Sequence, residues 1–166
     1  VSTPGNVRTG PFSIAVGGVA LGCTEGDAEV NIEELGRERM IDEYGQGILD
    51  LIHLGTNMRV TVRIAEETAA NLAIVFPMGL ASSVSIYHGG YTPGRKYSDQ
   101  GALVLLTGLR DTTVQIGLCK GVVEPGSVQA IPLSSEEDRV YQVTFLGLID
   151  TTKTEGKRVG WITAVA

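Results

Sequence analysis

Apolar and polar residues alternate along much of the chain. From Ala28 to Leu35, Ala28, Val30 and Ile32 alternate with Glu29, Asn31 and Glu33. From Met58 to Ala65, Met58, Val60, Val62 and Ile64 alternate with Arg59, Thr61 and Arg63. A period of two places each set on its own face of a strand, so both segments predict strands with one apolar and one polar face. Further strands are expected at Phe12–Leu21, Gly47–Leu54, Ala102–Leu109, Thr113–Val123, Val128–Pro132, Val140–Leu148 and Val159–Val165. Turn chemistry separates them. Gly36 predicts a turn leading into Arg37–Glu43, Tyr44-Gly45-Gln46-Gly47 another break, and Gly55-Thr56-Asn57 a third. Glu155-Gly156, inside Thr151–Arg158, has the composition of a hairpin turn.

One segment has a different period. In Glu66–Phe76 the residues Ala69, Leu72, Ala73 and Phe76 recur at i, i+3, i+4 and i+7, which predicts a helix. Glu66 and Glu67 are expected in its first turn, where the helix dipole favours negative charge, and Pro77 stops it. Residues 1–11 are polar and turn-rich, and read as an N-terminal arm. The whole chain of 166 residues then reads as a single mainly β domain, a β-sandwich or barrel with one flanking α-helix.

Composition supports that class. Val, Ile and Thr supply 45 residues and Gly and Pro 28, a mixture of strand formers and turn formers that excludes a helical bundle or coiled coil. Charge changes the picture more. The net charge of −6 is concentrated between Glu25 and Asp50, where nine acids face two bases, whereas the rest of the chain holds ten acids and eleven bases. A domain that grips nucleic acid carries the opposite bias. Glu29 and Glu33 on one strand, with Asp42 and Asp50 on neighbouring strands, are expected to form an acidic wall that repels phosphates.

The residues offer little to catalysis. His53 and His88 lie far apart, no H-x-x-x-H or C-x-x-C spacing occurs, and the glycine-rich Gly17–Gly22 stretch lacks the phosphate-loop pattern. His53 is expected to end a strand and His88 to lie exposed in a loop. No metal site and no cofactor is expected, and the chain is not expected to be an enzyme. Cys23 and Cys119 read as small buried hydrophobes, a bond between them being the alternative. No apolar run is long enough to span a bilayer and none has the shape of a signal peptide, so a soluble protein made in a cytoplasm is expected. The stretch Tyr87–Gly101 sets Arg95 and Lys96 among Tyr87, Tyr91 and Tyr97, a composition suited to a subunit-contact loop.

The order of these features resembles that of phage tail tube proteins. The carrying residues are Leu21-Gly22-Cys23-Thr24-Glu25-Gly26-Asp27-Ala28-Glu29-Val30, then Asp42-Glu43-Tyr44-Gly45 and Ile48-Leu49-Asp50. Gly55, the strand Met58–Ile64 with Ala65-Glu66, the helical pattern and Pro77-Met78-Gly79 follow in the family's order. The likeness covers residues 12–79, and the C-terminal half agrees only in being strands and loops. It implies a structural virion protein made in the host cytoplasm, whose copies form stacked hexameric rings around a lumen that conducts double-stranded DNA without binding it. The implied partners are further copies of the chain and the tail terminator, tape measure and baseplate proteins, with no membrane. Asp27, Glu29, Glu33, Asp42 and Asp50 would then line the lumen. Arg37 and Arg39 depart from the acidic pattern. The tube protein of contractile secretion systems shares the fold and is the near alternative. A decoration or carbohydrate-binding β-sandwich using Tyr87, Tyr91 and Tyr97 is a further one, and a hydrolase using His53 or His88 the last.

Overall fold

A computed structural model describes residues 11–22, 24, 26–40, 48–81, 85–87, 93–109, 112–128 and 140–163. The chain is mainly β, with a single α-helix among these residues. β1 (Phe12–Val16) and β2 (Val19–Ala20) form a tight hairpin where one strand, Phe12–Leu21, is expected. The cause is Gly17-Gly18, with φ of +58° and +85°, a left-handed pair that only glycine adopts cheaply and that turns the chain back on itself.

β3 (Glu29–Met40) and β4 (Ile48–Ile64) are far longer than the alternation predicts. The turns expected at Gly36 and at Gly55-Thr56-Asn57 are absent, because both segments lie inside strands that pair from Glu29↔Thr61 to Met40↔Ile48. The pairing absorbs the glycines as a bulge. Leu35 faces Gly55 and Gly36 faces His53, which leaves Leu54 unopposed. His53 therefore sits within β4 rather than at its end.

The helix α1 spans Ala69–Val75, shorter than the expected Glu66–Phe76. Thr68 is extended, and its hydroxyl accepts a hydrogen bond from the Asn71 N–H at 3.1 Å, which fixes it as the N-cap. Glu66 and Glu67 therefore precede the cap instead of occupying the first turn. The most buried helix residues are Asn71 and Val75, stacked at i and i+4, with Leu72, Ile74 and Phe76 partly buried beside them. Asn71 explains this polar departure from the expected apolar face. Its side-chain amide donates to the Leu21 carbonyl at 3.0 Å and to the Glu66 carbonyl at 2.9 Å, tying the helix to the two segments that flank it.

After α1, β5 (Leu80–Ala81) pairs with β6 (Ile86–Tyr87), and a 3-10 turn (Tyr97–Gln100) leads into β7 (Ala102–Gly108). β8 (Gln115–Val123), β9 (Tyr141–Gly147) and β10 (Gly160–Ile162) complete the set. Val128 lies in a bend, and the rest of the expected strand Val128–Pro132 falls outside the described residues.

Eight strands form one antiparallel sheet in the order β2-β1-β7-β8-β9-β4-β3, with β10 added to β8, and the sheet does not close into a barrel. β8 divides one edge between two partners, taking β10 at Ile116–Leu118 and β9 at Gly121–Val123. The sheet curls, so that Ile14 of β1 and Leu106 of β7 share one core with Val60, Val62 and Ile64 of β4 and with Val143 and Phe145 of β9. A bridge between Thr24 and Ile64 ties the segment after β2 to the end of β4. Phe76 meets Tyr141 edge to face at 6.3 Å, and Tyr141 donates its hydroxyl to the Glu67 carboxylate, so helix and sheet share one end of the core.

Candidate assembly surface

β9 pairs with β4 only from Arg59 to Ile64. From Ile48 to Met58, β4 has β3 as its only strand partner among the described residues, and the second edge of β3 has none. The hairpin therefore runs past the sheet as a two-stranded ribbon with an open edge. The register assigns its faces. Glu29, Asn31, Glu33, Leu35, Arg37 and Arg39 share one face with Arg59, Thr61 and Asp50, while Val30, Ile32, Glu34 and Glu38 share the other with Met58, His53 and Leu51.

The first face is polar and carries three of the expected acidic residues. Glu29 and Glu33 are exposed near its base. Asp50 is exposed opposite Arg39, ten residue steps from Glu29 or about 33 Å along an extended strand. Its carboxylate accepts the Leu51 N–H at 2.8 Å. Asp27 is exposed at a small cavity also lined by Arg63, and Asp42 lies outside the described residues. The face is not the acidic wall expected from the charge run, because the register brings Arg37, Arg39 and Arg59 onto it beside Glu29, Glu33 and Asp50 and sends Glu34 and Glu38 to the other side. Arg59 lies 3.5 Å from the Glu33 carboxylate and 3.4 Å from that of Glu124, and the Asn57 amide donates to Glu33. Each such partly exposed pair contributes roughly 0–1 kcal/mol, but together they occupy the guanidinium with protein carboxylates. Arg59 and Glu124 come from segments where a count along the chain shows no acidic bias. Only the fold reveals that Arg59 joins Glu33 to Glu124.

The expected contact loop is divided. Tyr87 belongs to β6, opposite Leu80, and Tyr91 lies outside the described residues. Arg95 and Lys96 are exposed. Tyr97 opens the 3-10 turn and lines a cavity of about 300 Å³ with Phe76, Pro77 and Val123, so it is directed at the body of the domain.

The second face continues the core outward. Met58 is buried, but Ile32, Met40, Ile48 and Leu51 are exposed, Leu51 by 67%. Periodicity marked these residues as apolar. It could not show that β9 ends at Gly147 and leaves them uncovered.

At the ribbon base this face opens into a groove of about 400 Å³. Ile32, His53, Thr56 and Met58 form one wall, and Ile149, Arg158, Val159 and Trp161 the other. Trp161 is held over Gly117, where an added Cβ would stand 2.5 Å from its ring. The Cys119 N–H donates to the Val159 carbonyl at 2.9 Å, which anchors the start of β10. Cys119 is a free thiol whose Sγ donates to the Lys157 carbonyl at 3.2 Å, and burial pushes its pKa up. Cys23 lies outside the described residues.

The loop bordering the groove is pinned by Asp150, whose Oδ1 accepts the Thr152 hydroxyl at 2.7 Å and its N–H at 3.0 Å. These bonds, the hydroxyl first, hold the Asp150 carboxyl below its ordinary pKa. A depressed carboxylate pKa stabilises the loop above the unfolded value, and that contribution is lost as pH falls through the folded value. Thr152→Ala removes the hydroxyl and keeps the N–H, so it should move the Asp150 titration upward, towards that of an ordinary aspartate. A carboxyl-carbon NMR titration of both proteins checks this, and unchanged curves contradict it.

Among the described residues no group of three or more His, Cys, Asp or Glu could hold a metal ion, and no helix is long and apolar enough to cross a membrane. His53 is exposed on the groove wall, and His88 lies outside the described residues. The chain matches no known protein-family model, and no curated protein sequence matches it.

Proposed function

We propose that the protein is a structural subunit of a phage tail tube, non-enzymatic, whose copies join in hexameric rings that stack around a DNA-conducting lumen. The observation that supports this best is the ribbon. It combines a twelve-residue strand whose second edge has no strand partner among the described residues with a row of exposed apolar residues. A long unprotected edge is an aggregation hazard for a monomer, whereas pairing with a neighbouring copy removes it. The polar face suits a lumen wall. Glu29, Glu33 and Asp50 are matched there by Arg37, Arg39 and Arg59, and Arg59 is occupied by Glu33 and Glu124, so a passing polyanion meets a face of little net charge that gives it little to hold.

Negative-stain electron microscopy of the purified protein tests the reading. Rings or tubes are expected on concentration or on addition of a tail initiator, and a species that stays monomeric throughout overturns it. The lumen assignment has its own test. Reversing Glu29 and Glu33 to Lys should leave rings largely intact, since both side chains are exposed and the lost Glu33–Arg59 pair is worth at most about 1 kcal/mol. DNA ejection from particles carrying the double variant should be slower, because each ring then presents cations to the phosphates. Unchanged or faster ejection contradicts the assignment.

A further inference from the structure

We propose that the outer ribbon of a second copy of this chain, at Glu38, Ile48 and Leu51, seats in the groove between the ribbon base and β10. Leu51 and Ile48 enter beside Trp161, and Glu38 pairs with Arg158. The inference rests on the self-assembly reading and names the contact that reading leaves open.

Three observations carry it. First, outer ribbon and groove are both apolar and both exposed. Ile48 and Leu51 are 58% and 67% exposed, while Ile149 and Trp161 on the groove wall are 65% and 37% exposed. Exposed apolar groups in two separate patches that could cover each other mark an interaction surface. Second, their charges are complementary. The register puts Glu34 and Glu38 on the apolar face and sends Arg37 and Arg39 to the opposite one, so the face offered to a groove bears acids only. The groove wall offers Arg158. Third, the outer ribbon cannot fold onto its own groove. Leu51 lies two residues beyond His53 of the groove wall on one continuous strand, which runs on past the groove and stays paired with β3. The occupant must therefore come from another chain.

Outer ribbon and groove are different patches of one molecule, so the contact is head-to-tail. Such a contact does not end at a pair. It repeats until a ring closes or a filament grows.

Cysteine pairing tests the contact. In a Cys23→Ser, Cys119→Ser background, one preparation carries Leu51→Cys and another Ile149→Cys, both at exposed positions that leave the core untouched. Under mild oxidation the mixture should give a disulfide-linked heterodimer, and a chain carrying both cysteines should give a ladder of covalent oligomers. Rings or tubes that assemble without this cross-link overturn the groove contact and leave the tube reading standing. A double-cysteine chain that closes only on itself also overturns it. A mixture that never assembles defeats both.

Charge exchange provides a second readout. Glu38→Arg should raise the concentration needed for assembly about tenfold, and adding Arg158→Glu should restore it to within about threefold. Failure of the second substitution to rescue the first removes the Glu38–Arg158 pairing.

Discussion

Replacing Phe145 by Ala should destabilise the protein by about 3–5 kcal/mol, the largest single loss expected from the core. Phe145 is 1% exposed and is among the largest fully buried side chains. It sits in β9 between Gln142–Thr144 and Leu146–Gly147, where its backbone faces Val60 of β4 on one side and Val123 of β8 on the other. Its ring thus lies where the two halves of the curled sheet meet. Truncation removes the transfer energy of the ring and leaves a cavity that neighbours on three strands cannot collapse into together. A drop in melting temperature of roughly 10 °C should accompany the loss. Phe145→Leu keeps most of the volume and should cost less than half as much. Urea titration followed by tryptophan fluorescence measures both, since the chain has one Trp. An alanine variant within 1 kcal/mol of the parent would mean that this core is not packed as described.

The second large effect concerns a polar residue. Asn71 is 2% exposed, and its amide serves the Leu21 and Glu66 carbonyls. Asn71→Ala leaves both carbonyls without that donor, at about 1–3 kcal/mol for each that water cannot reach. Asn71→Asp is the sharper probe. A carboxylate donates to neither carbonyl, whereas a protonated carboxyl can donate to one. The folded state therefore raises the pKa of the introduced Asp, and relief is complete below its unfolded value and fades as pH rises through the folded one. Relative to the parent, the Asp variant should be less destabilised at pH 4 than at pH 7. A pH-independent difference would show that Asn71 acts by shape alone.

Much of this architecture was legible in the sequence because its cause is local. Alternation at Met58–Ile64 identified the core face of β4, and the strands that carry Val104, Leu106, Val143 and Phe145 were expected where they lie. What local pattern could not supply was the fate of the glycines. Gly17-Gly18 turns the chain, yet Gly36 and Gly55 are carried through continuous pairing. The difference lies in the partner strand. Gly36 and Gly55 each have a long antiparallel neighbour to stay bonded to, and a bulge costs less than breaking that ladder. Helix length was overestimated for a similar reason, since the Thr68 cap competes with the acidic residues before it and wins through a hydrogen bond. The acidic residues at Glu29 and Glu33 were visible as a run of charge. Their compensation by Arg59 was not, because it depends on a register set across 26 residues of chain, Glu33 to Arg59.

The ending of β9 partway along β4 divides a single strand into two dynamic regimes. Amides of β4 between Arg59 and Ile64 are flanked on both sides and can exchange with solvent only when the sheet opens as a whole. Between Ile48 and Met58 the alternate amides that point at β3 are held by β3 alone among the described residues and can open by local fraying of the ribbon, and those that point away have no strand partner there. Hydrogen exchange on the isolated subunit should therefore show a step in protection near Met58, with no break in secondary structure to account for it. In an assembled tube the step should vanish, since a neighbouring copy would close the ribbon's open side. The strand would then report its own assembly state residue by residue, without any label attached to it.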